Sequence, residues 1–190
     1  MRYFKYRNAW LYDGPPHEEC CLEKKVYENL LNQGGLLVRN TYSFDCAEET
    51  AFWYIIKDCF EGMKELSRTT RNQVRRALEK LDFRHVDFAL IQTQGYPIME
   101  KTYAAYPKPD RPMNQRVFND FLFNLENRYY EFWGVFDKSK GTLIGFSANR
   151  LWEKSCHYDF IAILPEYKHN GTFPYYGLFY TMNQYYLQEK

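Results

Sequence analysis

The sequence has no long apolar run. No stretch approaches the roughly 18 apolar residues that a membrane-spanning helix needs. The densest run, Ala51 to Ile56, has only the length of a strand. Met1 to Trp10 reads MRYFKYRNAW and has no apolar core of signal length. Charge of one sign is also missing: Lys+Arg 25 stands against Asp+Glu 24, for a formal net charge of +1. That balance excludes a polycation or polyanion, so a nucleic-acid or acidic partner must use a local patch. Cysteine is scarce and odd in number, with Cys20, Cys21, Cys46, Cys59 and Cys156 at irregular spacing. This is not a disulfide framework, and a cytoplasmic protein with reduced thiols is the expectation. His17 with Cys20 and Cys21 has metal-ligating side chains, but no second ligand pair at zinc spacing follows, so no metal is expected. Asn170-Gly171-Thr172 spells a glycosylation sequon, which has no use without secretion. Internal repeats and low-complexity segments are absent as well.

What is abundant is aromatic: Tyr 18, Phe 15 and Trp 4, or 19% of the chain. Together with 45% hydrophobic residues, this excludes intrinsic disorder. The excess of Tyr over Phe points to rings with a packed body and a wet hydroxyl. A length of 190 residues suits one domain, or two small ones sharing a core, able to fold without disulfides or metals.

Hydrophobic spacing predicts helices over Leu22 to Asn32, Ser67 to Leu81, Ile98 to Tyr106, Met113 to Arg128 and from about Pro174 to the last residue. Strands are expected over Leu36 to Tyr42, Thr50 to Lys57 and Phe83 to Asp87. The segment 106–112, YPKPDRP, has three prolines and reads as an internal loop. Glu131 to Phe136, Thr142 to Leu151 and Ser155 to Leu164 form an antiparallel meander, its first turn at Asp137 to Gly141. In the third strand Cys156, Tyr158, Phe160 and Ala162 alternate with His157, Asp159, Ile161 and Ile163. The last helix carries a stripe of Tyr175, Leu178, Phe179, Met182, Tyr185 and Tyr186.

Two segments carry chemistry. The first is the connection Pro165-Glu166-Tyr167-Lys168-His169-Asn170-Gly171-Thr172 between a strand and a helix. Unpaired N–H groups and the dipole at a helix N-terminus favour an anion. Gly171 allows close backbone approach and Lys168 adds charge. The plainer reading is a simple connection with a solvated lysine. The second segment is SRTTRNQVRRALEKL, Ser67 to Leu81. Val74, Ala77, Leu78 and Leu81 form its apolar face, while Arg68, Arg71 and Arg75 share another. Arg76 and Lys80 lie further round, and Arg75 has Glu79 at i+4. Arginine forks match phosphate oxygens, and the alternative is a solvated helix face.

The meander, the Pro-x-Tyr-Lys-x-x-Gly turn and the following helix resemble the acyl-CoA N-acyltransferase superfamily, the GNAT fold. Leu66, Ser67, Arg71, Val74, Arg75, Arg76 and Ala77 resemble a helix of its FemAB/FemX-like branch, which transfers amino acids from aminoacyl-tRNA. Phe173 stands where that family has a second small residue. The resemblance implies an α/β (α+β) fold with a mixed, largely antiparallel sheet flanked by helices. It implies acyl-CoA or aminoacyl-tRNA as donor, an amine as acceptor, and donor contacts from Ile163, Lys168, Asn170, Gly171 and Thr172. It also implies a further strand and helix. On that expectation 1–190 is one incomplete GNAT-like domain whose open sheet edge is available to another chain.

Acyl transfer needs a base for the amine and an acid for the leaving group. Asp159 and Glu166, with His157, are the nearby bases, though each also reads as a solvated polar residue. Tyr175 and Tyr176 are the nearby acids. Two other readings stand beside an N-acyltransferase. One is an RNA- or sugar-phosphate-binding module using Arg68, Arg71 and Arg75 with exposed rings. The other is a degenerate acyltransferase domain with a structural role.

Overall fold

The computed structural model describes residues 3–6, 8–44, 46–48, 55–107, 113–126 and 128–189. The chain divides into two compact units, Met1–Ile56 and Lys57–Lys190. In the first unit β1 (Tyr3–Tyr6) pairs antiparallel with β2 (Ala9–Tyr12). β3 (Leu37–Arg39) pairs parallel with β2. Parallel neighbours need a crossover, and α1 (Lys24–Asn32) supplies it, burying Leu30 completely. Polar bonds tie the pieces: Tyr3 Oη donates to Asn40 Oδ1 (2.5 Å), and Asn40 Nδ2 donates to Tyr27 Oη (2.7 Å). The opening strands escaped the periodicity reading because each has four residues, too few to show alternation. The strand expected over 50–57 falls mostly on residues outside the description, and Ile55 to Lys57 have no regular structure. The proline-rich loop 106–112 likewise lies outside it beyond Pro107.

The second unit is a mixed α+β fold, an antiparallel sheet flanked by helices. After a 3-10 turn (Gly62–Glu65) comes α2 (Arg68–Lys80), capped by Ser67, whose Oγ accepts from Thr70 N at 3.1 Å. The sheet follows in the order β4 (Leu81–Val86), β5 (Tyr130–Asp137), β6 (Thr142–Trp152), β7 (Ser155–Ile163), each neighbouring pair antiparallel. α3 (Phe88–Ala104) and α4 (Gln115–Glu126) cover one face, where Ile91, Met99, Phe118, Phe132 and Phe146 form a core. α2 and α5 (Pro174–Gln184) cover the other, against Trp133, Val135, Ile144, Ile163, Leu178 and Met182. The period of two along β5 sorts Phe132 to the first core and Trp133 to the second.

Two expectations fail for local reasons. The helix expected from Ile98 begins at Phe88 and runs through Pro97. The proline ring faces solvent, while Ile91, Ile98 and Met99 are buried and hold the helix through it. In β7, Ala148 pairs with Phe160 and Asn149 with Tyr158, so Asp159 is the extra residue of a bulge. The bulge moves Tyr158 to the face of Ile161 and Ile163, away from Phe160 and Ala162. Simple alternation had placed it with the latter pair. Beyond α5 the last turn widens to a π-helix, Tyr185–Glu189.

Candidate functional site

β7 ends in a 3-10 turn, Pro165–Tyr167, and the chain reaches α5 through Lys168 to Phe173. Ile163 is fully buried, and its carbonyl accepts from the Thr102 hydroxyl at 3.1 Å. Lys168 Nζ lies 5.6 Å from the Tyr175 ring centre and 5.9 Å from that of Tyr106. Asn170 Oδ1 accepts the Thr172 amide (3.1 Å) and lies 2.6 Å from the Thr172 hydroxyl. Gly171 has φ +75, which its missing Cβ permits. Phe173 has φ +53, uncommon for a residue with a side chain. Pro174 has no N–H, and the amides of Tyr176 and Gly177 turn back to the Phe173 carbonyl at 3.1 and 3.3 Å. Among the described residues, the N–H groups of Gly171, Phe173 and Tyr175 are left without a protein acceptor.

One cation of the basic helix reaches this turn, and it is not one of the three singled out from the sequence. The Arg76 guanidinium lies over the Phe173 ring, 5.6 Å from its centre. A Cβ built at Gly171 would meet Arg76 Nη2 at 3.7 Å. Ala77 marks the side of α2 that meets α5, since a Cβ at Gly177 would stand 2.7 Å from its Cβ. By the helical step, Arg68, Arg71 and Arg75 lie about 120–180° round from Ala77. They share a face, as expected, but it points away from the turn. Among the described residues none of these three has a carboxylate partner, and the Arg75–Glu79 pair does not form. The sequence signal for Arg76 was its place next to Ala77, at the edge of the buried face.

The turn is tied to the tip of the β5–β6 hairpin. Tyr167 Oη donates to Asp137 Oδ2 at 2.7 Å, and Lys140 Nζ donates to Tyr167 Oη at 3.1 Å. Asp137 Oδ1 also accepts from Ser139 N (2.9 Å), Ser139 Oγ (2.6 Å) and Lys140 N (3.3 Å). The Ser139 and Tyr167 hydroxyls hold the Asp137 carboxyl well below the usual carboxylate range. Burial, followed by the bond to Asp137, pushes the Tyr167 phenol up. An open cavity of about 840 Å³ lies beside this junction, lined by Lys80, Asp137, Lys140, Glu166, Asn170 and Thr172 among others.

Asp137 makes a pH prediction. Its folded pKa is depressed, so its contribution is present above the unfolded value of ~3.9 and is lost as pH falls below it. The slope of stability against pH on the acid side of pH 4 should therefore be shallower in Asp137→Asn. Urea titrations at a series of acid pH values measure it, and equal slopes would refute the assignment.

Of the expected bases, Asp159 and Glu166 are not brought together. Asp159 sits at the bulge, its Oδ2 accepting from Tyr130 Oη at 2.5 Å and its Oδ1 4.0 Å from His157 Nδ1. Glu166 lies past the other end of β7, 3.8 Å from Lys101 Nζ and on the wall of the 840 Å³ cavity. On the order of 15–20 Å of extended chain separates the two carboxylates. Tyr175 and Tyr176 line a second groove of about 380 Å³, walled by Phe60, Phe179 and Tyr180. Phe179, expected in the apolar stripe, is exposed there.

A polar network under the π-turn was not visible in the sequence. Trp133 Nε1 donates to Tyr186 Oη (3.1 Å), which donates to Glu131 Oε2 (2.8 Å). Asn149, fully buried on β6, donates to Met182 Sδ (3.1 Å) and accepts from Ser147 Oγ. The wider π-turn brings Tyr185 to His85, with ring centres 4.6 Å apart, while Tyr186 reaches Trp133. Tyr186→Phe keeps the ring but removes the acceptor of a buried indole N–H. It should cost about 1–3 kcal/mol of unfolding free energy, measured by urea denaturation; an unchanged midpoint would refute it.

No family model matches the chain, and no curated protein matches it. Among solved structures, the crystal structure of FemX is similar at a TM-score of 0.49 and 13% identity, over 63% of this chain and 45% of that one. The chain thus spans less than half the length of that structure. A likeness of this degree assigns no activity. No described helix is long and apolar enough to cross a membrane, and no group of three His, Cys, Asp or Glu side chains among the described residues could hold a metal ion.

Proposed function

We propose that the second unit binds the phosphate-bearing part of an acyl or aminoacyl donor at the turn between β7 and α5, and serves N-acyl transfer to an amine. The observation that carries this reading is the meeting of Arg76 with a turn whose Gly171, Phe173 and Tyr175 amides are open. Oriented N–H groups beside a guanidinium form an anion site with both dipolar and full positive charge. The meander running into that turn and helix supports an acyltransferase-like use of it. Acyl-CoA and aminoacyl-tRNA both carry the required phosphates. Lys168 and the Asn170–Thr172 turn are then donor-binding, and Ile163 lies on the strand that leads the donor in.

Arg68, Arg71 and Arg75 support the aminoacyl-tRNA form. Their guanidiniums share one face and lack carboxylate partners among the described residues, so that face suits a phosphate backbone. Calorimetric titration of the full chain with CoA, acetyl-CoA and bulk tRNA tests the reading. Saturable binding of a CoA species at sub-millimolar concentration supports the small-donor form. Salt-dependent binding of tRNA alone supports the tRNA form. Failure of all three at millimolar CoA and micromolar tRNA overturns the proposal.

A further inference from the structure

We propose that Asp137 and Tyr167 are positioning residues that hold the β7–α5 turn in its anion-accepting shape from the tip of the neighbouring hairpin. The ligand consequence rests on the donor reading above, whereas the latch itself rests on geometry alone.

Tyr167 is anchored at both ends. Its hydroxyl is in the hairpin, 2.7 Å from Asp137 Oδ2 and 3.1 Å from Lys140 Nζ. Its carbonyl is in the turn, 2.9 Å from the Thr172 hydroxyl. That hydroxyl is also within reach of Asn170 Oδ1, which takes the Thr172 amide. A continuous chain of polar contacts therefore runs from the hairpin backbone to the residue before Phe173. Asp137, Tyr167 and Thr172 are only 8%, 7% and 7% exposed, so water competes poorly for these bonds.

The turn needs such a hold. Phe173 sits in the left-handed region, which is unfavourable for a residue with a Cβ. Strained backbone of this kind persists only where its surroundings over-determine it. Two contacts are placed to do so: Arg76 on the Phe173 ring, and the Tyr167–Thr172 link at the residue before it. Freed of the link, Phe173 relaxes toward negative φ, and the arrangement of the Gly171, Phe173 and Tyr175 amides changes with it. Asp137 carries no charge to the ligand in this scheme; it acts through Tyr167.

The test uses the full chain with Tyr167→Phe, Asp137→Asn and the double variant. Site-resolved amide exchange and chemical shifts of Asn170 to Phe173 are followed by NMR, and CoA affinity by calorimetry. Each single variant should speed exchange of the Thr172 amide about ten-fold, while α3 and β4 keep wild-type protection. The double variant should add little to either single one, because both break one link. CoA affinity should fall in step, which a general loss of stability would not produce at a temperature where all variants are folded. Thr172→Val cuts the chain at its other end and should reproduce the shift changes if a hairpin variant fails to fold. Unchanged turn resonances, or fully additive effects, overturn the latch. Should wild-type protein bind neither CoA nor tRNA, the donor reading fails and the exchange data alone judge the latch.

Discussion

Arg76→Ala should weaken binding of a CoA-type donor roughly 10- to 100-fold. This is the scale of removing one charge-assisted bond, about 1.5–3 kcal/mol. Arg76 is the cation that the fold delivers to the Gly171 turn. Its removal takes away the guanidinium charge and leaves the amides and Lys168. Arg75→Ala, one residue away, should change small-donor affinity less than about three-fold, because α2 turns it away from α5. The pair of variants therefore separates local recognition from bulk charge, which changes equally in both. Against tRNA the comparison reverses. Replacing Arg68, Arg71 and Arg75 together should lower the slope of log affinity against log salt, by about one for each phosphate no longer neutralised. Equal effects of Arg75 and Arg76 on CoA would overturn the placement of the site at the turn.

Gly177→Val should destabilise the second unit by about 1–3 kcal/mol, lowering its thermal midpoint on the order of 5–10 °C. A Cβ at Gly177 would stand 2.3 Å from Phe83 Cζ and 2.7 Å from Ala77 Cβ. Phe83 belongs to the buried core and Ala77 to the backbone-close side of α2, so neither can retreat without opening a gap. α5 would have to move from both α2 and the sheet. Since α5 begins at the turn, donor binding should weaken with it. Thermal denaturation of Gly177→Val beside Tyr176→Val, whose side chain is 43% exposed, measures the difference. Matching midpoints for the two variants would refute the close packing.

Much of this architecture was written in short-range pattern. The three-stranded meander, α2, α4 and α5 follow from apolar periods of two or 3.6 and from turn residues. The β7–α5 turn was legible for the same reason: Gly171 before a helix with an early proline is a local signal. The sharing of one face by Arg68, Arg71 and Arg75 is also a matter of helical step alone.

What the sequence by itself determined was therefore the set of elements, their amphipathic faces and the two segments bearing positive charge or open amides. Only the tertiary structure decided which of those charges meets which turn. Arg76 rather than its neighbours reaches Gly171 because α5 packs on the Ala77 side of α2, through the space left by Gly177. The Asp159 bulge, which moves Tyr158 to the other face, arises between two strands and has no signal in either. The Asp137–Tyr167 bond joins residues 30 apart in the chain, and the Trp133–Tyr186 bond residues 53 apart. Periodicity reports only which way a side chain points from its own element. A partner across the sheet is chosen by register and by packing distance, and those exist only once the chain has closed on itself.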